Sequence, residues 1–349
     1  MRVVVTGATG NVGTSVLSAL AEDDAVSEIR GVARRSPDVD APKTTWIERD
    51  IARDDLGPTF DGADVVIHLA WAIQPSHDEA TLRAINVSGS ERVFRAAVEA
   101  GVPSLVYASS VGAYTRGPKD RRVDESWPAT GIPTSFYSRH KAEVERLLDA
   151  VEREAPEVRV VRLRPALIFK GEAATEIRRL FAGPFLPGFA LHPRLVPFVP
   201  RIRGLRIQAV HSLDVGDAYR RAALGDAGGV FNIAAEPVIG PNELANVMDA
   251  RTVPVPGGLV RALTDLTWRL HLQPTPPGWL DLALGVPLMD SSRARRELGW
   301  EPRRASTDAV RELLEGLRGG RGLETPPLDP DTTGPARTGE LRTGVGQRQ

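Results

Sequence analysis

Tyr137 and Lys141 stand four residues apart in the run Tyr137-Ser138-Arg139-His140-Lys141, a spacing that sets both on one face of a helix. An ammonium beside a phenol favours phenolate and lowers the phenol pKa. Such a tyrosine is an acid/base near neutral pH, where a free one, at about 10, is not. Ser110 closes a strand-like run at 105–108, from where its hydroxyl can donate to the same substrate oxygen and stabilise charge developing on it. A Tyr-Lys pair at this spacing is more often a surface pair. What changes its meaning here is a glycine-rich turn at the start of the chain.

That turn reads Thr6-Gly7-Ala8-Thr9-Gly10-Asn11-Val12-Gly13. Glycines at 7, 10 and 13 permit a tight turn, close backbone approach to a pyrophosphate and close helix–strand packing. The helix that follows aims free N–H groups and a partial positive charge at the phosphates. Gly-rich turns are common, but this one has a strand before it and a helix after it, as dinucleotide binding requires. Gly7, Thr9, Gly10, Asn11, Val12 and Gly13 are therefore the candidate phosphate-binding residues.

An acidic residue ending the second strand would hold the ribose 2′-hydroxyl of NAD. Arg34 and Arg35 stand there instead. Two guanidinium groups suit a 2′-phosphate and favour NADP; a solvated basic turn that accepts either cofactor is the plainer alternative. Asp50 and Ile51 are candidate adenine contacts, the carboxylate accepting from the exocyclic amine and the isoleucine packing on the ring.

These residues need a scaffold, and the apolar pattern supplies one. Strands are predicted at 2–6, 29–33, 64–69, 105–108 and 158–163, and helices at 14–22, 82–100 and 137–153. Strands alternating with helices of this length imply βαβ units and a parallel sheet covered on both faces. Beyond Arg164-Pro165 the texture changes. Residues 183–204 and 236–290 are Pro-rich, while regular pattern returns at 207–210, 214–224 and 230–233. The expected division is a dinucleotide-binding domain at 1–170 to which 205–235 returns. A discontinuous substrate region at 171–204 and 236–318 and an unstructured tail at 319–349 complete it.

The chain has 349 residues, 42% hydrophobic and 26% charged, with 44 basic against 45 acidic side chains. That near-neutral balance gives no reason to expect nucleic acid or an anionic membrane as partner. Cysteine is absent, which excludes disulfides, thiolate metal sites and a cysteine nucleophile. The six histidines lack metal-ligand spacing, so no metal is expected. The first strand begins at Arg2 and no apolar run approaches the ~20 residues of a membrane span, so a cytoplasmic location is expected.

With these pieces in order, the chain resembles an extended short-chain dehydrogenase/reductase of the NAD-dependent epimerase/dehydratase type. The resemblance covers about residues 1–315 and is carried by TGATGNVG at 6–13, HLA at 68–70, INVSGS at 85–90, YASSVGAY at 107–114, YSRHK at 137–141, RPALIF at 164–169, VHSLDVGDA at 210–218 and DSSRARRELGWEP at 290–302. It implies an α/β fold: a Rossmann-type doubly wound parallel sheet with a smaller discontinuous C-terminal substrate region. It implies Ser110, Tyr137 and Lys141 as the catalytic set, the lysine also binding the nicotinamide ribose. It further implies that Leu69 and Ala70 line the cofactor, Asn86 braces the central helix, and Pro165 and Ile168 flank the nicotinamide. Homodimers are common among similar proteins.

The departures are informative. Enzymes of this type that remove water from nucleotide sugars carry an acidic pair after the site serine or threonine, whereas Ser110 precedes Val111-Gly112-Ala113. The usual Tyr-Gly-Pro after Pro165 is replaced by Phe169-Lys170-Gly171, and no diphosphate-binding asparagine is evident beyond it. Arg178, Arg179 and Arg203 are candidates for a diphosphate, though a solvated face is the plainer reading. His68 and His211 are expected as packed or capping residues, Asp124 and Glu125 as surface or capping groups, residues 77–79 as a loop or helix start, Asp214 as the cap of the helix after it, and residues 293–296 as a charged helix face. The expected activity is hydride transfer at a carbinol or carbonyl carbon of a small molecule, as an epimerase or as an NADPH-dependent carbonyl reductase. The other class is a non-catalytic nucleotide sensor or scaffold, which has no need of the serine, tyrosine and lysine together.

Overall fold

The computed structural model describes residues 1–73, 77–181, 197–273 and 275–329, without the side chains of 179–181. Strand β1 (Arg2–Thr6) leads into helix α1 (Asn11–Ala21), then β2 (Glu28–Ala33) and β3 (Thr44–Glu48). After α2 (Gly57–Phe60) and β4 (Val65–His68), α3 (Glu79–Arg83), a π-turn at Ala84–Ser88 and α4 (Gly89–Glu99) form one helical run before β5 (Ser104–Ala108). Next come β6 (Arg122–Val123), α5 (Phe136–Glu154), β7 (Arg159–Pro165), β8 (Leu167–Phe169) and α6 (Ala174–Phe181). The chain continues through β9 (Phe198–Arg201), β10 (Ala209–His211), α7 (Ser212–Leu224), β11 (Gly229–Ile233), α8 (Pro241–Met248) and β12 (Arg251–Pro254). It closes with α9 (Gly257–Arg269), α10 (Gly278–Gly285), β13 (Leu288–Met289), α11 (Ser292–Glu297) and α12 (Ser306–Gly319).

Seven strands form one sheet in the order β11-β7-β5-β4-β1-β2-β3, and every pairing in it is parallel. Helices cover both faces, which is why the strands read as continuous apolar runs. Val3 and Val5 pack with Val16 and Leu20 of α1 and Tyr219 of α7. Val4, between them, points the other way and packs with Phe94 of α4 and Val144 of α5. The order of strand addition reverses between β1 and β4, and a crevice opens beyond the carboxyl ends of strands at such a switch point.

Several elements escaped the sequence pattern, β3 and α12 among them. β3 is an edge strand, partly exposed along its length, so its burial signal is weak. α12 buries Ala309, Val310 and Leu313 but lies where the composition turns polar. Residues 320–329, expected to lack structure with the rest of the tail, are instead packed. Leu328 is fully buried and the Arg321 carbonyl accepts from Thr175 Oγ1 at 2.9 Å, because a few apolar side chains suffice once α6 offers a surface. The remainder of that tail, 330–349, and the Pro-rich stretch at 182–196 lie outside the described residues. No described helix is long and apolar enough to cross a membrane.

Candidate active site

The glycine turn is built by steric necessity at two of its three glycines. Gly7 has φ +73°, and a Cβ there would lie 2.7 Å from the Ala70 nitrogen. A Cβ on Gly13 would fall on the Gly7 carbonyl oxygen and 2.6 Å from the Ala8 carbonyl carbon. Gly10 differs: its nearest neighbour would be 3.6 Å away, so its bare face opens on a cavity. α1 starts at the next residue, with no side chain capping it. Asn11 donates from Nδ2 to the Ile168 carbonyl at 3.3 Å, while its buried Oδ1 has no partner. A bare glycine and an uncapped helix start together fit a dinucleotide diphosphate, whereas the orphaned amide oxygen, an acceptor, suits a donor such as a hydroxyl.

The cavity, about 840 Å³, runs from this turn past the ends of β1, β4 and β5. Thr9, Val12, Leu69 and Ala70 line it beside the glycines. At the β2 end its wall is Arg34, Arg35, Asp50 and Ile51, joined by Arg49, which the sequence reading missed. All three arginines are exposed. Asp50 has one carboxylate oxygen already accepting from the Ala52 nitrogen at 2.9 Å. At the opposite end Pro165 and Ile168 form the wall next to Ser110, Tyr137 and Lys141.

α5 is capped by Ser135, whose hydroxyl accepts from the Ser138 nitrogen, and it presents Tyr137 and Lys141 one turn apart. The phenol of Tyr137 is hydrogen-bonded to the Ser110 hydroxyl, and burial pushes its pKa up to about 12 in spite of that bond. The expected lowering by the lysine is not found. The Lys141 ammonium donates to the Ala108 carbonyl at 2.6 Å and sits 3.4 Å from the centre of the Trp71 ring, but 5.9 Å from that of Tyr137. Burial outweighs its field at the phenol. Burial likewise holds Lys141 well below the ordinary lysine range, opposed by the charge of Glu145.

Two indoles bracket the tyrosine, Trp71 edge-on at 6.0 Å and Trp279 tilted at 5.1 Å between ring centroids. Neither was singled out in the sequence, because nothing local marks a tryptophan as facing a distant helix. Beneath them, Asn86 holds the loop after β4 by both amide atoms, Oδ1 accepting from the Ala72 nitrogen at 2.7 Å and Nδ2 donating to its carbonyl at 2.9 Å. It thus braces this loop as well as the helical run that carries it. Glu145, one turn beyond Lys141, accepts from Arg164 Nε at 2.7 Å and through its other oxygen from the same guanidinium. Ser109 donates to Glu145 too, so the strand end before Ser110 is tied to α5.

Other candidates take structural places. His68 is fully buried between Thr6 Oγ1, 2.7 Å from Nδ1, and Ser90 Oγ, 2.9 Å from Nε2. His211 caps α7 by accepting from the Leu213 nitrogen at 3.1 Å. Asp214 is therefore not the cap; it lies in the first turn of α7 and accepts from the Arg303 and Arg304 nitrogens. Asp78 caps α3, and His77 stacks on Trp268 at 3.4 Å. Asp124 is exposed and accepts from Ser126, while Glu125 Oε1 accepts from the Asn232 nitrogen at 2.8 Å. Arg293 is more than a charged face, since it donates to the Val230 carbonyl at 2.9 Å. Arg178 and Arg203 do not line the cavity, and the Arg179 side chain lies outside the described residues. No metal-binding cluster occurs among the described residues.

Comparison with known proteins agrees with this architecture. The profile of the NAD dependent epimerase/dehydratase family matches residues 3–180. A 3 beta-hydroxysteroid dehydrogenase/Delta 5-->4-isomerase of Mycobacterium tuberculosis is 29% identical over 338 residues, covering 90% of this chain and 89% of that protein. An uncharacterized protein of the same species is 27% identical over 339 residues, covering 94% and 86%. Among solved structures, a dTDP-glucose 4,6-dehydratase from Streptomyces venezuelae with NAD and TYD bound superposes with TM-score 0.67 at 20% identity, covering 94% of this chain and all of that one. A UDP-glucuronic acid 4-epimerase from Bacillus cereus with UDP-glucuronic acid and NAD does so with TM-score 0.65 at 16% identity, covering 91% and 99%. At such identities these structures speak for the fold.

Proposed function

The chain belongs to the NAD dependent epimerase/dehydratase family, and from that premise we propose that it is an NAD(P)-dependent oxidoreductase transferring hydride at a carbinol or carbonyl carbon. The observation that carries the reading is the single cavity whose wall holds the glycine turn at one end and Ser110, Tyr137 and Lys141 at the other. A bound nicotinamide would supply the hydride donor or acceptor. Gly10 and the start of α1 would hold the diphosphate, Leu69 and Ala70 the adenosine side, and Pro165 and Ile168 the nicotinamide.

The protein's own contribution is proton handling and charge stabilisation. With its pKa pushed up to about 12, Tyr137 is a protonated phenol at neutral pH and so a proton donor to a carbonyl oxygen undergoing reduction. Ser110, bonded to the same phenol, shares the oxygen and stabilises its developing charge. Lys141 lies one helical turn from the phenol against the Trp71 ring, its ammonium form disfavoured by burial and favoured by the charge of Glu145. In the reverse direction the alcohol gives its hydroxyl proton to the phenolate form of Tyr137 and a hydride from the same carbon to the oxidised nicotinamide that would occupy the site, leaving a carbonyl.

Arg34, Arg35 and Arg49 at the β2 end support NADP over NAD, since guanidinium groups pair with a 2′-phosphate where an acidic residue would repel it. The absence of an acidic pair after Ser110 speaks against sugar 4,6-dehydration. An epimerase would use the same phenol and serine on both faces of a keto intermediate. The test is a titration of the protein with NADPH and NADH, read by melting temperature, since a ligand at a hundredfold excess over Kd stabilises by about 2.7 kcal/mol. Preference for NADPH with carbonyl reduction supports the oxidoreductase. Tight NAD with no net redox change during turnover supports an epimerase, and binding of neither cofactor overturns the proposal.

A further inference from the structure

The half of the cavity beyond Tyr137 differs in kind from the half beside the glycine turn. Its wall is Trp71, Ile85, Trp279, Leu282 and Val286, with Ile73, Ile177 and Leu313 farther out. Tyr137 is the meeting point of two apolar clusters there, one with Ala72, Leu82 and Phe136 and one with Ile132, Leu282 and Val286. The amides that reach this wall are already engaged. Gln208 donates from Nε2 to the Met289 carbonyl at 3.0 Å and accepts from the Met289 nitrogen at 2.6 Å. Gln273 donates to the Thr275 carbonyl at 2.7 Å and accepts from its nitrogen at 2.6 Å. Among the described residues of this half, Lys141 over the Trp71 ring is the one cation on the wall, and it is already engaged by the Ala108 carbonyl; besides Tyr137 the other ionisable groups are Glu176, His77 and the buried phenol of Tyr219. Burial and the neighbouring His271 lower the pKa of His77, which favours its neutral form.

A sugar nucleotide brings two phosphate charges, and a wall of aliphatic and aromatic side chains whose one cation, Lys141, is already engaged matches them poorly. Flat apolar groups, by contrast, gain by desolvation and by stacking on indoles. We propose that the substrate is an uncharged, apolar cyclic secondary alcohol or its ketone, seated between Trp71 and Trp279 with its oxygen toward Ser110 and Tyr137. This rests on the oxidoreductase reading for turnover, but not for binding.

The two are separated by measuring binding and turnover independently. With NADPH bound, 1-tetralone, 2-decalone and UDP-glucose are each titrated while tryptophan fluorescence is followed, and each is then assayed for nicotinamide oxidation. Saturable quenching by the ring ketones and not by UDP-glucose supports the substrate class. Trp279→Ala is expected to weaken ketone binding at least tenfold. Ala283→Arg, at a partly exposed position of the same wall, is expected to do the same by adding a cation, with NADPH binding retained by both variants as the check of folding. Ketones that bind without ever being reduced would support this inference while overturning the oxidoreductase reading. Binding and turnover of UDP-glucose would overturn the apolar substrate and leave hydride transfer standing, and ketone binding unaffected by both variants would overturn it as well.

Discussion

Gly112 and Tyr137 are locked face to face: a Cβ on Gly112 would lie 2.7 Å from Cε1 of the tyrosine ring and 3.3 Å from Ser110 Oγ. The glycine lies in the short turn after β5, and its nitrogen donates to Ser110 Oγ at 2.9 Å. It therefore fixes the positions of both Ser110 and Tyr137. Gly112→Ala is expected to displace the phenol and lower kcat at least tenfold. Melting with and without NADPH would distinguish this from unfolding; an unchanged kcat would mean the ring position is not critical.

Tyr137→Phe removes the proton donor while keeping the ring between Trp71 and Trp279. Loss of general acid catalysis is expected to cost roughly 10²–10⁴-fold in kcat, with NADPH affinity within about twofold. Turnover measured on the variant with any substrate accepted by the wild type decides it.

Because the pKa of Tyr137 is raised to about 12, phenolate is the minor form at neutral pH and grows about tenfold per pH unit below that value. Oxidation of an alcohol, which needs the phenolate, is expected to rise with pH from neutral to alkaline solution. Reduction, which needs the phenol, is expected to stay level across the same range. A break in the oxidation profile near neutrality would show that the bound cofactor and Lys141 bring the phenol down.

Replacing Arg34 and Arg35 by alanine is expected to reduce preference for NADPH over NADH about tenfold. Ionic hydrogen bonds contribute about 1.5–3 kcal/mol when well made, and less at an exposed site. Added salt should erode the wild-type preference in the same direction. Kd values for the two cofactors, in wild type and variant, provide the check.

His68 predicts a pH-dependent stability. Burial, with Lys141 adding to it, holds its pKa down at about 3, against about 6.5 when unfolded. Its contribution is therefore complete above the unfolded value and is lost as pH falls, because only the unfolded chain takes up the proton. Between pH 7 and pH 5 the loss is about 2 kcal/mol. Urea unfolding of wild type and His68→Gln at both pH values should show that much less acid sensitivity in the variant.

The readings that held were those resting on local constraints. A glycine turn between an apolar strand and a helix, and Tyr137 one helical turn from Lys141, are properties of short runs of chain, and the fold follows from alternating apolar segments. Readings that depended on partners were less secure. Asp214 had the composition of a helix cap, but His211 reaches the Leu213 nitrogen and Asp214 holds residues 303–304 instead. Residues 320–329 had the composition of a tail, yet α6 gives them a surface to pack on.

The chain by itself determined the βαβ order, the place of the glycine turn and the identity of Ser110, Tyr137 and Lys141 as candidates, because strand period, helix period and glycine geometry act over a few residues. Only the tertiary structure decided the electrostatic state of that trio and the apolar nature of the wall beyond it. Trp71 and Trp279 are brought to Tyr137 from distant parts of the chain, and the same folding turns the Lys141 ammonium toward Ala108 and Trp71. Burial and long-range contact set both properties, and neither is encoded in the spacing of neighbouring residues.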